Sequence, residues 1–468
     1  MIGARLSIMM FLQFFIWGAW YVTAPRFLGT IGFTGGDFGW TYSVGPIAGI
    51  ITPFFVGMIA DRFFATERVL GVMHLLAGGI MLAATTLMLQ PDPSPMLINS
   101  LFFAHMLCYF PTLALTNTLA MHNVTNSEKQ FPMIRVFGTI GWIAAGLILG
   151  NLDWGASVNM FYLAGGAAVA LGLYSFTLPH TPPPMAGKQA SIREILGFDA
   201  FSLLKRPSFL VFMVSSFLIC IPLAFYYQMA ERAVGAAGVL ETPTKMTYGQ
   251  ISEIVFMLLI PFFFRKLGVK WMLTVGMLAW VIRYGLFAAG TPGEVEWMML
   301  AGIILHGICY DFFFVTGQIY TDKAATPEIR GQAQGMLVLF TLGFGMLIGA
   351  QVAGKVEAHF TREENGQFLE QAKAVGVQIE DLETQLEGAD EVAAIETQDE
   401  IDSLKTEQDE LNLQALKSLV WRSIWMIPAV GAAVIMVLFA LIFKDDSSED
   451  GEVTEGEVAR DAAIEGQP

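Results

Sequence analysis

The stretch "LPHTPPPMAGKQASIREILGFDAFSLLKRP", residues 178–207, separates two long apolar regions of the chain. Its consecutive prolines cannot continue a helix, because proline lacks a backbone N–H and clashes with the preceding turn. The segment "SIREILGFDAFSLL" within it has the spacing of a short amphipathic helix that lies on a membrane surface. The stretch therefore predicts a linker between two helical bundles.

Long apolar windows recur on both sides of this linker. A hydrocarbon core of about 30 Å requires roughly 20 mostly apolar residues per helix. The chain has 468 residues, of which 54% are hydrophobic and 15% are charged, as is typical of a membrane protein. The first window is too long for a signal peptide and carries Gln13, Trp17 and Trp20, so we interpret it as a span. The twelve predicted spans are 6–29, 38–60, 68–89, 96–121, 134–152, 156–178, 208–230, 246–265, 269–290, 296–320, 331–354 and 420–443.

These windows predict an all-α polytopic membrane protein with twelve transmembrane helices in two six-helix bundles. The predicted division is a bundle at 1–178, a linker at 179–207, a bundle at 208–443 with an acidic helical insertion at 356–419, and an acidic disordered tail at 444–468.

The distribution of lysine and arginine predicts the orientation in the membrane. The formal net charge of -16 is made up of -12 in residues 356–422, -7 in residues 444–468 and +3 in the rest of the chain. The short loops on the side of the N-terminus hold most of the remaining basic residues, which predicts that both termini are cytoplasmic and that the insertion is periplasmic. The sequence contains no basic patch of the kind that binds nucleic acid. Three cysteines in apolar spans, without metal-ligand spacing, indicate structural roles.

Two short basic loops occupy corresponding positions in the two halves. "GMIADRFFATERVL", residues 57–70, follows the second span, and "PFFFRKLGVKWML", residues 261–273, follows the eighth. Such a weak repeat is expected of a transporter built from paired units. In the first loop glycine permits close helix approach and the charges can pair between helices, which predicts a conformational loop formed by Gly57, Asp61, Arg62 and Arg68.

The segment 366–418 differs from the spans because apolar residues recur at helical spacing among many acids. We predict two helices that turn near "EGADE", residues 387–391, and pack as an extra-membrane hairpin. A solvated extension is the simpler interpretation, and an unknown partner of the acidic hairpin is the alternative.

Polar residues within the predicted spans indicate a binding site, because a charge at a helix centre costs about 2.5–3.5 kcal/mol on insertion scales. Arg135, Thr139 and Trp142 share one helical face, as do Gln250 and Glu253. Carboxylates, amides and aromatic rings together suit a flat, polyhydroxylated solute. The other candidate substrate-binding residues are Asp311, Tyr227, Gln228, Asn117, Gln13 and Trp17. Structural interhelical pairing or packing is the alternative for each of them.

Two carboxylates are candidates for proton coupling. Burial disfavours a charged carboxylate and a nearby arginine favours it, so a conformational change can make such a group bind and release a proton. We favour Asp311 over Glu253, because Gln250 lies beside Glu253 and suggests a substrate-binding role there. Asp311 is expected to share a face with Phe314, Val315 and Gln318. Arg283 is interpreted as a snorkelling residue or a structural pair, and His105 and His306 as satisfied core residues.

Several stretches, among them "FPMIRVFGTIGW", "QISEIVFMLLIPFFFRKLGVK" and "YDFFFVTGQIY", resemble the nucleoside:proton symporters of the major facilitator superfamily. The resemblance runs from the first span through the eleventh. It implies two six-helix bundles, alternating access, and proton-coupled nucleoside uptake across the inner membrane. It also implies that Arg135, Thr139 and Trp142 line one half of the cavity and that Gln250, Glu253 and Asp311 line the other. The span with "IPLAFYYQMAER" and the acidic insertion depart from the family pattern.

The predicted partners are a nucleoside, protons and the lipid bilayer, with the proton gradient as the energy source and no cofactor. Transport of another polar metabolite, such as a sugar or a nucleobase, stays open, as does a receptor or scaffold that uses the outer hairpin. A membrane enzyme is disfavoured, because the sequence holds no metal-ligand cluster and no convincing nucleophile and base.

Overall fold

The computed structural model describes residues 2–52, 63–125, 127–183, 198–326, 329–386 and 391–444. The secondary structure of these residues is helical, apart from one isolated bridge between Thr361 and Leu419. The α-helices are α1 Ile2–Gly18, α2 Ala24–Thr30, α3 Gly35–Thr52, α4 Thr66–Met88, α5 Pro95–His122, α6 Ser127–Asn151, α7 Asn159–Ser175, α8 Pro207–Ala236, α9 Thr242–Gly290, α10 Glu296–Ile304, α11 His306–Tyr310, α12 Thr316–Ala324, α13 Arg330–Val338, α14 Met346–His359, α15 Glu364–Leu386, α16 Glu391–Lys417 and α17 Trp421–Ile442. Asp311–Val315 and Leu339–Gly345 form π-helices, and Phe198–Lys205 forms a 3-10 helix.

Eight helical stretches among the described residues are long and apolar enough to cross a membrane, and the helix Ile2–Gly18 is apolar but shorter. One of the eight is α9, whose 49 residues include Gly268 with a non-helical conformation (φ 66°, ψ 177°). Glycine adopts positive φ without steric cost, so the helix axis can change direction there. The predicted spans 246–265 and 269–290 lie on either side of this break. The total of twelve spans stays a prediction.

The first predicted span, 6–29, is interrupted in the structure. Helix α1 ends at Gly18 and α2 begins at Ala24, with Pro25 in its first turn. Proline suits that position because its missing N–H would have no partner within the helix. Of the amphipathic helix predicted in the linker, only the 3-10 helix Phe198–Lys205 is described. The conformational-loop residues Gly57, Asp61 and Arg62 and the tail from residue 445 lie outside the described residues.

Buried apolar side chains form two large clusters. One draws on residues between 6 and 178, together with Ala350, and the other draws on residues between 200 and 443, together with Val22. We call the two parts of the chain the N-terminal half and the C-terminal half. The partly buried Trp142 and Tyr227 pack against both clusters. Each half therefore supplies its own core, and the two cores meet at a few shared side chains.

The two halves are in close contact where α3 packs against α14. A Cβ atom added at Gly354 would lie 2.4 Å from the carbonyl oxygen of Gly35 and 2.9 Å from Cα of Gly39. The amide of Gln351 donates to the carbonyl oxygen of Gly39 at 3.1 Å and lies 2.8 Å from the Ser43 hydroxyl. The absence of side chains at the glycines thus permits direct backbone contact between the halves.

Helices α15 and α16, which we call the insertion pair, lie next to this interface. They run antiparallel around a small core of Val375, Ile379 and Ile401. Lys373 donates to the carbonyl oxygen of Pro91 at 3.2 Å, and Lys417 lies 2.6 Å from the Glu294 carboxylate. The insertion pair therefore contacts both halves. The connection at 387–390, where the turn was predicted, lies outside the described residues. We refer to this side of the molecule as the insertion end.

Candidate functional site

Helix α6 presents Arg135, Thr139 and Trp142 on one half-buried face, as the helical spacing predicts. The Arg135 guanidinium lies over the Phe14 ring, 4.0 Å from its centroid. Helices α6 and α1 approach so closely that a Cβ at Gly141 would lie 2.1 Å from a backbone oxygen of α1. The small residue at position 141 thus allows the close packing that places the Arg135 guanidinium against α1.

Helix α9 supplies the facing residues Gln250 and Glu253, which are both partly buried. The Glu253 carboxylate, 16% exposed, lies 3.8 Å from Nε2 of His306. Arg135 is within the range of electrostatic interaction with Glu253 and Tyr310. The structure therefore brings a cation of the N-terminal half towards a carboxylate of the C-terminal half.

A chain of aromatic rings continues this site between the halves. Trp142 contacts Trp17 with ring centroids 5.7 Å apart, and Trp17 contacts Tyr21 at 5.3 Å. Tyr21 meets Tyr227 of α8 at 5.6 Å. Aromatic faces of this kind can stack on a planar ring. We call the group formed by Trp17, Arg135, Trp142, Tyr227 and Glu253 the central site.

Asp311 is fully buried at the start of the first π-helix. Neither of its carboxylate oxygens has a hydrogen-bond partner within the part of the chain that the structure describes. Asp311 is buried whereas Gln318 is exposed, and the common face predicted for them stays a prediction. A π-turn closes i→i+5 hydrogen bonds instead of i→i+4, so the side chains that follow are rotated from the positions of a regular α-helix.

Two predicted amide ligands are hydrogen-bonded within the protein. The Gln13 amide donates to the Thr112 hydroxyl at 2.8 Å, and its oxygen lies 2.8 Å from Nε2 of His74. The Gln228 amide donates to Glu357 at 3.1 Å. Both side chains are buried. Asn117 is half-buried, and its side-chain oxygen has no hydrogen-bond partner among the described residues. Gln228 likewise keeps a side-chain oxygen without a hydrogen-bond partner among the described residues, whereas both ends of the Gln13 amide are paired.

The partner of Gln228 belongs to a second charged cluster at the insertion end. Arg232 donates two hydrogen bonds of 2.7 Å to the Glu357 carboxylate, and both residues are buried. The Arg232 guanidinium also lies 4.3 Å from the centroid of the Phe38 ring in the N-terminal half. Arg232 was not among the candidate residues, and its spacing of four residues from Gln228 was the available signal that both lie on one helical face.

Arg26 joins the halves at the same end. Its guanidinium lies 3.3 Å from the Glu231 carboxylate and donates to the Thr242 hydroxyl at 2.9 Å. A cavity of about 990 Å³ opens beside this cluster. Its wall includes Asp153 and, from the insertion pair, Asp409. No residue of the central site lines this cavity, so the two are separate features of the molecule.

Sequence reasoning missed three residues near the central site. Tyr21 contacts Trp17 and Tyr227, and Tyr310 contacts His306 with ring centroids 5.4 Å apart. His306, interpreted as a satisfied core residue, points its Nε2 towards a carboxylate of the site. Its spacing of four residues from Tyr310 places both on one helical face and was the available signal.

The apolar helices, and a polar site formed by both halves, define a multi-pass membrane transporter. Residues 1–373 match the family described as "Nucleoside H+ symporter", and the chain belongs to that family. The family consists of transporters and not enzymes, which confirms the resemblance noted in the sequence.

Individual proteins support this assignment. The transporter YegT of Escherichia coli K12 is 36% identical over 97% of this chain and 99% of its own length. The xanthosine permease of the same organism is 32% identical over 77% of this chain and 89% of its own length. The crystal structure of the nucleoside transporter NupG matches 95% of this chain and 100% of its own chain with a TM-score of 0.75 and 26% identity. The chain therefore has the fold of a known nucleoside transporter.

Proposed function

We propose that this protein moves nucleosides together with protons across the inner membrane by alternating access. The sequence relatives include nucleoside permeases, which supports the choice of solute. The observation that carries the proposal is the central site, in which Arg135 of the N-terminal half lies within electrostatic range of Glu253 in the C-terminal half.

The chemistry of the central site suits a nucleoside. The base is a planar ring, which Trp17, Trp142 and Tyr227 can stack against. The ribose carries two neighbouring hydroxyls, and a single carboxylate can accept a hydrogen bond from each of them. Glu253 supplies such a carboxylate. Arg135 supplies donors for the acceptor groups of the base or the sugar. A solute held by both halves also resists their separation, so binding is coupled to the conformational change.

The packing supports alternating access. The halves have separate apolar cores, and direct backbone contact joins them at the insertion end, between Gly354 and Gly35. We propose that the structure represents a state closed at this end, and that separation of α3 from α14 opens it. The distribution of basic residues supports the proposal that the insertion end is periplasmic and that both termini are cytoplasmic.

Asp311 is the proposed proton site. A charged carboxylate in an apolar interior is costly unless it is paired, and the described residues offer Asp311 no hydrogen-bond partner. Binding a proton removes that cost. A proton that moves inward gains about 2.3 kcal/mol per 100 mV of membrane potential, which can drive nucleoside accumulation.

Uptake of radiolabelled uridine by the purified protein in proteoliposomes tests the function. We expect uptake that increases with an inwardly directed proton gradient and that unlabelled nucleosides inhibit. Replacing Arg135 or Glu253 by Gln should lower uptake at least tenfold, whereas replacing the exposed Arg265 by Gln should not. Inhibition by ribose or uracil but not by nucleosides would indicate another polar solute. Uptake that does not depend on the proton gradient would refute the proposed proton coupling.

A further inference from the structure

His306 lies between a buried cation and the central site. Its ring is 3% exposed and stacks on Tyr226, with ring centroids 5.5 Å apart and an interplanar angle of 19°. One ring nitrogen, Nδ1, is 3.1 Å from Nη1 of Arg283. The other, Nε2, is 3.8 Å from Oε2 of Glu253. The imidazole therefore links Arg283 to the carboxylate that we propose binds substrate.

Arg283 determines what each ring nitrogen can do. Its guanidinium is fully buried and lies over the Tyr226 ring at 3.4 Å. A guanidinium has five N–H donors and no acceptor, and it remains protonated in proteins. The contact with Arg283 therefore requires that Nδ1 of His306 accepts the hydrogen bond and carries no proton. In a neutral imidazole the proton is then on Nε2, the nitrogen that faces Glu253.

The positively charged form of His306 does not fit this arrangement. An imidazolium has a proton on each nitrogen, so its Nδ1–H would point at the N–H of a buried guanidinium. No carboxylate lies within hydrogen-bonding distance of Arg283 among the described contacts, where its neighbours are His306, Cys309 and aromatic rings. The pairing with Arg283 thus holds His306 as one neutral tautomer.

The backbone keeps His306 and Glu253 at a fixed separation. A Cβ added at Gly307 would lie 2.5 Å from the backbone of Ser252, and one added at Gly249 would lie 3.2 Å from Cβ of His306. The Ser252 hydroxyl also donates to the carbonyl oxygen of Ile304 at 2.6 Å. Helices α9 and α11 therefore pack closely on both sides of the pair. A rotation of the Glu253 side chain that moves its oxygen by about 1 Å is enough to form a hydrogen bond to Nε2.

We infer that Arg283 holds His306 as the Nε2–H tautomer and that His306 is thereby a positioning residue for Glu253. This inference rests on the proposed function for its role in transport. Arg135 belongs to the N-terminal half and moves relative to Glu253 in alternating access, whereas His306 stays with Glu253. The His306 N–H is then the donor that remains available when Arg135 withdraws. The other titratable groups that face Glu253 are Tyr226, Tyr227, Tyr310 and Asp311.

The tautomer can be measured without any transport. We propose nitrogen NMR of the full chain in lipid nanodiscs, with ¹⁵N-labelled histidine and a His306→Asn variant to assign the signal. A neutral ring with a protonated Nε2 at pH 7 is expected. Replacing Arg283 by Met should release this restriction and change the tautomer or the charge state. A protonated Nδ1 or an imidazolium in the unmodified protein would overturn the inference.

Two matched variants test the positioning role. In His306→Gln an amide nitrogen can occupy the place of Nε2, whereas in His306→Asn the amide occupies the place of Nδ1 and no donor reaches Glu253. The pH dependence of uridine uptake should stay near that of the unmodified protein in the Gln variant. It should move by about one pH unit to higher pH in the Asn variant, because a donor to a charged group is lost.

The control variant is His105→Asn. His105 is also buried and stacked on a tyrosine, and its Nδ1 lies 2.9 Å from a backbone oxygen. Equal shifts in the His306→Gln, His306→Asn and His105→Asn variants would show a general packing effect and refute the positioning role. If the unmodified protein takes up no uridine, the proposed function fails while the NMR result still decides the tautomer.

Discussion

Replacing Gly354 by Ala should push the two halves apart at the insertion end. The added Cβ would lie 2.4 Å from the carbonyl oxygen of Gly35 and 2.9 Å from Cα of Gly39, whereas carbon atoms in contact are separated by about 3.5–4.0 Å. Both neighbours are backbone atoms, so no side chain can rotate to relieve the overlap. Overpacking of this kind costs about 1–3 kcal/mol. A coupling energy of that size corresponds to about a 5- to 150-fold change in an equilibrium constant.

The cost applies only to the state in which α3 and α14 are in contact, so the variant should favour the state open at the insertion end. Spin labels at the exposed positions Trp40 and Lys355 would report the separation by pulsed electron resonance, and a population at longer distance is expected. The control is Gly79→Ala in α4, where an added Cβ meets nothing within 4 Å. An unchanged distance distribution in the Gly354 variant, with uridine uptake also unchanged, would refute the reasoning.

Three further predictions follow from buried or paired charges. Replacing Glu357 by Gln should lower the free energy of unfolding by about 3–5 kcal/mol, because Arg232 loses a buried charge partner. Thermal unfolding of the detergent-purified protein would measure this loss. Adding Arg232→Met should recover part of it in the same assay. Replacing Asp311 by Asn should abolish gradient-driven uridine accumulation but spare exchange of internal for external uridine, and unchanged accumulation would reject the proton role. Partial burial and the Asp153 carboxylate raise the pKa of Asp409 above 3.8, and Arg26 lowers it. The contact of α16 with its neighbours is therefore strongest below the ordinary pKa of 3.8 and weakens as the pH rises through the raised pKa of Asp409. Hydrogen exchange of α16 at about pH 4 and pH 7 would measure the difference, and Asp409→Asn should remove it.

The fold could be predicted from the sequence because its determinants are local. The length and hydropathy of each apolar window can be determined from that window alone. Pro182 and Pro183 alone rule out a continuous helix between the halves. The faces of α6 and α9 were also predictable, since Arg135 and Glu253 lie in regular helical stretches. In such stretches the period of 3.6 residues determines which side chains are neighbours.

The candidate site was less predictable, because hydrogen-bond partners come from distant parts of the chain. Gln13 is bound by His74, which lies 61 residues away, and no spacing rule connects them. The helical register after Asp311 was not predictable, because a π-helix begins at that residue and its i→i+5 pattern depends on packing rather than on local sequence. The contacts of the insertion pair with loops of both halves were not predictable either, because these loops are distant from it in the sequence.

Trp142 and Tyr227 each pack against both apolar clusters, so substitutions at the two positions should interact genetically. Substitutions that share packing partners are not additive, and their interaction energies reach about 0.5–3 kcal/mol. A transport defect caused by a smaller residue at position 142 should therefore be suppressed by second-site substitutions in the C-terminal half, around position 227. Randomly selected revertants would reveal the contact between the halves as a pattern of epistasis, without any structural measurement.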